Sequence, residues 1–192
     1  KSNLTPRIPT GISALRKALL EVWLTEWSLK VHEDPDGSNW GVRISTYLKG
    51  VGACAWCCFS ASWAHKEATG VWPMGERFGL VKAMWNRAKE LGLAREKGSY
   101  SPLPGDWFVI LTVDAQGRRT GQGHTGVVVS LSPDGKSFNT FAGNEGNRLK
   151  YGVRRMSQSD LVGFVQMLPV DGSEKAERIL VEAGLVEREG TR

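Results

Sequence analysis

The sequence predicts an α+β domain, with helices first along the chain and an antiparallel sheet second. Three observations carry that expectation. Apolar residues recur at helical spacing between Ile12 and Leu91, β-branched and aromatic runs follow Pro102 and Pro104, and Pro133, Asp134 and Gly135 separate two of those runs with a hairpin turn.

Ile12, Leu15, Leu19, Val22 and Trp23 fall every three or four residues and predict an amphipathic helix over 12–30. The stretch from His32 to Asn39 holds Asp34, Pro35, Asp36, Gly37 and Ser38, which bend chains, so it reads as a turn. A shorter segment, 42–48, leads to Gly50 and Gly52. Cys57, Ala61, Ala64, His65 and Ala68 share one face of a second helix, which starts near Cys57 and ends at Gly70. Phe78, Val81, Trp85, Ala88 and Leu91 mark a third, closed by Gly92. Strands are expected at 107–113, 125–131, 138–141 and 162–168, the second and third as antiparallel neighbours. Residues 1–170 are expected to form the body. Residues 171–192, with Ala176, Ile179, Leu180 and Ala183 among charges, read as a helical tail.

A chain of 192 residues is close to the usual size of one domain. The formal charge of +5 and pI near 9.2 favour anionic partners without choosing between nucleic acid, membrane surface and wall polymer. No run approaches the ~20 apolar residues of a membrane span, and Lys1 opens no export-signal pattern, although a leader removed earlier is compatible with that start. Cys54, Cys57 and Cys58 are too few and too clustered for a disulfide scaffold. Cys54 and Cys57 have a redox or metal spacing, but no second pair exists and His32, His65 and His124 lie far apart in sequence. No metal or cofactor is therefore expected, and the aspartates at 34 and 36 are read as turn residues.

Free cysteines are more often small buried hydrophobes than nucleophiles, so position must single one out. Cys57 opens a helix, where free amides and the helix dipole favour a thiolate, while Cys58 points about 100° away around the same helix. His124 begins an expected strand directly after the glycine-rich segment 117–123, where a histidine can project towards a helix start. Asn144 follows the next strand, between Gly143 and Glu145, and pairing of the two strands would bring its amide near His124. Taken alone, Asn144 fits a turn as well as a catalytic role.

Trp56, Cys57, Cys58, Phe59 and Trp63 resemble the nucleophile motif of the CHAP family, the cysteine, histidine-dependent amidohydrolases and peptidases. Asn39, Gly41, Arg43 and Tyr47 resemble that family's lead-in, Pro104, Gly105 and Asp106 its entry to the first strand, and 124–129 its histidine strand. Phe141, Ala142, Gly143 and Asn144 resemble its closing strand. The resemblance covers approximately 15–168 and implies a papain-like domain, helices packed on an antiparallel sheet. It implies a cysteine hydrolase cutting amide bonds in peptidoglycan, with Cys57 as nucleophile, His124 as base and Asn144 as orienter. Cys58 departs from the small residue usual after the nucleophile, and Ala142 from the Glu of many relatives. Glu145 is the substitute orienter if the backbone turns it inwards. The backbone amide of Cys57 is the expected oxyanion donor, and Arg118, Arg119, Arg148, Lys150, Arg154 and Arg155 are expected beside the cleft. The expectations that follow are a monomer, no nucleic-acid partner, and a location that is extracellular, periplasmic or phage-associated. Two other readings stand beside this one: a wall-binding module without turnover, and an amidase acting on a non-wall amide.

Overall fold

Ser13 accepts a hydrogen bond from the Arg16 N–H (3.4 Å) and so caps the first helix, α1 (Ala14–Ser28), within the stretch where apolar spacing predicts it. The computed structural model describes residues 5–168, so the expected tail at 171–192 lies outside the described residues. Segment 42–48 contains a one-turn helix, α2 (Ile44–Tyr47). Helix α3 (Cys57–Thr69) starts at the expected cysteine and ends at Gly70, whose φ of 85° closes it in the left-handed conformation. After a short 3-10 turn (Pro73–Gly75), α4 (Val81–Glu90) begins later than the apolar spacing suggests. Phe78 is tied down before it: its N–H donates to Ser62 Oγ (3.1 Å) and its carbonyl accepts from the same hydroxyl (3.2 Å), fastening it to α3.

The sheet is antiparallel throughout. Its strands β1 (Ala94–Glu96), β2 (Trp107–Val113), β3 (Arg119–Leu131), β4 (Ser137–Ala142), β5 (Lys150–Arg155) and β6 (Leu161–Val165) lie in the order β1-β6-β2-β3-β4-β5. The fold is therefore α+β, and the turn at 133–135 joins antiparallel neighbours as expected. Strand β3 begins at Arg119 rather than Thr125, and Gly123 within that added stretch serves packing rather than a loop. A Cβ on Gly123 would stand 2.4 Å from the Ile110 carbonyl oxygen and 3.2 Å from Val81 of α4.

Alternation along the strands separates two apolar clusters. Trp107, Val109, Leu111, Val127 and Val129 join the helices, with Leu19, Leu20, Trp23, Ala61 and Met84, while Phe108, Ile110, Val128, Phe138 and Phe164 form a second cluster. Arg16, 2% exposed, fastens α1 to the sheet: its Nη1 donates to Asp106 Oδ1 (3.0 Å) and its Nη2 to the Leu168 carbonyl (2.7 Å). Such a buried pair is stable only while both partners remain. Among the described residues, no helix is long and apolar enough to cross a membrane.

Candidate active site

The start of α3 is held from below. Trp56, fully buried, donates its indole Nε1–H to Glu33 Oε1 (2.9 Å), and Glu33 Oε2 accepts the Asn39 N–H (2.9 Å). No side chain caps the helix, so its first-turn amides keep the free N–H groups that favour negative charge beside Cys57. Gly143 makes this approach possible, because a Cβ there would lie 2.3 Å from Ser60 Oγ and 2.6 Å from the Trp56 ring.

His124 arrives from β3. Gly123 faces Val81 of α4, so His124, the next residue along the strand, faces the other way, towards Phe108 (ring centroids 5.8 Å apart). The ring lies between two groups that favour its charge, Cys57 and Glu145, and Glu145 Oε2 stands 3.7 Å from Nε2. That separation is an ion-pair distance rather than a hydrogen bond. Burial opposes the charged ring, but contact with Cys57 and Glu145 outweighs it, so His124 titrates above the ordinary imidazole value of 6.5. Cys57 is 6% exposed and the His124 side chain 21%, so the pair opens to solvent on the histidine side.

At Asn144 the structure differs from the sequence expectation. Continued beyond Val127↔Phe141, the β3–β4 register would set Asn144 opposite His124, but β4 ends at Ala142 and Asn144 has φ 57°. This left-handed residue turns the chain and exchanges the two side chains. In the orientation that satisfies both ends of its amide, Asn144 donates to Glu33 Oε1 (3.1 Å) and accepts the Trp56 N–H (3.1 Å), while the Asn39 amide meets it at 3.1 Å. Asn144 thus contacts the strut beneath Cys57, and Glu145, the substitute named from the sequence, faces the histidine.

Glu145 is half-buried among cations. Arg154 Nη2 donates to its Oε2 (2.6 Å), and Lys150 Nζ lies 3.6 Å from its Oε1. Burial raises its carboxyl, but His124, Arg154 and Lys150 together bring it below the usual range. Lys150, Arg154 and Arg155 lie on β5 rather than in a loop, and the first two are engaged with Glu145. Arg118 is paired with Asp114 (2.8 Å). The three cysteines are free thiols. Complete burial pushes the Cys58 thiol well up; partial burial raises that of Cys54, against the pull of Arg77.

Sequence reasoning missed Glu33, and it placed Arg154 beside the cleft without its partner Glu145. Glu33 falls in the turn-forming stretch from His32 to Asn39, and its partners Trp56 and Asn144 lie far along the chain. Arg154 was one basic residue among several, and only the pairing of β4 with β5 brings it to Glu145. Among the described residues, no group of three or more His, Cys, Asp or Glu side chains could hold a metal ion.

Comparison with known families adds one finding: the family model described as the CHAP domain matches residues 45–147. That span takes in most of α2, the cysteine helix, the histidine strand and the turn carrying Asn144 and Glu145. No curated protein and no solved structure matches the chain.

Proposed function

The chain belongs to the CHAP domain family, whose members are amidase- or peptidase-type hydrolases, and we propose that it cleaves amide bonds of peptidoglycan through Cys57 and His124. One observation carries this reading: a cysteine at an uncapped helix start lies against a histidine whose charged form is favoured. The Cys57 sulfur attacks the amide carbonyl carbon, forming a C–S bond as the carbonyl electrons move onto oxygen. The Cys57 backbone N–H is the donor for that oxyanion. Collapse breaks the C–N bond, and the His124 imidazolium gives its proton to the departing amine. His124 then takes a proton from water, whose oxygen attacks the thioester and releases acid and thiolate. Glu145 orients the ring and supports its charge from the Nε2 side, while Asn144 and Glu33 hold the nucleophile's helix start.

Residues 1–170 are taken as the catalytic body, in which one copy supplies every residue of the site, so a monomer suffices. A wall substrate places the working enzyme outside the membrane or with a phage. The test is mass analysis of fragments from purified peptidoglycan. New amine and carboxyl termini, either at the muramoyl–alanine amide or within the peptides, are the expected result, whereas cleaved sugars or an unchanged wall would contradict it.

A further inference from the structure

Glu145 Oε2 serves two partners unequally. Arg154 Nη2 holds it at 2.6 Å, while His124 Nε2 stands 3.7 Å from the same atom. Arg154 is fixed independently of this bond: it pairs with Phe138 in the β4–β5 register, its guanidinium lies 4.4 Å over the Phe108 ring, and its side chain is 13% exposed. Phe108 is also the ring against which His124 packs. Guanidinium and imidazole thus pack against one aromatic side chain, and the carboxylate that meets both is drawn to the arginine.

We propose that Arg154 is a positioning residue of the hydrolytic site, holding the Glu145 carboxylate back from the His124 ring and so keeping the imidazolium acidic enough to protonate the leaving amine. This rests on the reading of Cys57 and His124 as nucleophile and acid–base. A carboxylate free to close on Nε2 would form a charge-assisted hydrogen bond and make the ring a weaker acid. The charged groups around the ring are Cys57 from α3, Glu145 from the turn after β4 and Arg154 from β5; Lys150 lies at Glu145 Oε1, and Asp160 acts on Arg154. Cys57 and Glu145 favour the imidazolium and Arg154 disfavours it, so losing the arginine removes a repulsion and frees the carboxylate together. Both changes act in one direction.

The experiment follows the ring protons of His124 by NMR across pH, assigned by their loss in His124→Gln, beside kcat on peptidoglycan. Arg154→Met should raise the His124 titration by about one unit and lower kcat roughly 3- to 10-fold. Arg154→Lys, which keeps the charge, should return the titration most of the way. In a Glu145→Gln background, Arg154→Met should move it less, since no carboxylate remains to be released. The lysine and double variants keep the test readable if Arg154→Met folds poorly. A titration unmoved or lowered in folded Arg154→Met, with wild type active and Cys57→Ala inactive, overturns the role of Arg154 alone. The titration itself needs no substrate, so a fully active Cys57→Ala chain identifies a failure of the underlying reading and overturns both.

Discussion

At the scale of single residues, Asn144 and Glu145 are neighbours in the chain that face different partners. The left-handed turn at Asn144 sends its amide to the strut under Trp56 and leaves the next carboxylate facing His124. The consequences for pH dependence have opposite character. Glu145 favours the charged ring, so Glu145→Gln should lower the His124 titration and move the alkaline limb of kcat/KM down by about one unit, with a loss of roughly 10- to 100-fold at the optimum. Asn144→Ala should lower thermal stability and slow alkylation of Cys57 while leaving that limb in place, because it acts on the nucleophile's support. Rate-against-pH curves for both folded variants check this, and a limb that moves with Asn144 rather than Glu145 would reverse the assignment.

At the scale of elements, the site depends on how closely α3 approaches the end of β4. Gly143→Ala would force its new methyl against Ser60 and the Trp56 ring, destabilising by roughly 1–3 kcal/mol. The larger effect should be on turnover, since relief of the clash displaces the helix start carrying Cys57. Thermal melts and kcat measured together test this: a near-normal kcat in a folded variant would show that the approach is not critical. The same elements show how much was legible in the sequence. Helix α1 was readable from apolar residues at helical spacing, α3 from its small residues and the Gly70 stop, and β2 and β4 from β-branched and aromatic runs that the structure buries. The hairpin was readable from its turn residues. Strand β1 is three residues long, and β5 carries a glycine and three cations in six residues, so neither has an apolar pattern to detect. Their pairing comes from neighbours distant in sequence. Cys57 and His124 were legible from helix start, strand start and family motif, whereas Glu33 and Arg154 acquire meaning only when separate strands and loops are brought together.

At the scale of the molecule, the helical half supplies the nucleophile and the sheet half supplies the base and its charged supports. Every side chain assigned to the site lies between Glu33 and Arg154, within the described residues. A chain ending at residue 170 should therefore retain turnover on soluble wall fragments within about twofold, small against the effect of losing a catalytic group. A much larger loss would show that the segment beyond 170 belongs to the catalytic unit. The account's central claim is that Cys57 is the nucleophile, and comparing peptidoglycan turnover by wild type, Cys57→Ala and Cys58→Ala, each shown to be folded, tests it most directly. The account predicts a fall of at least roughly a thousandfold for Cys57→Ala and most activity retained for Cys58→Ala, whereas wild-type turnover by folded Cys57→Ala would contradict it.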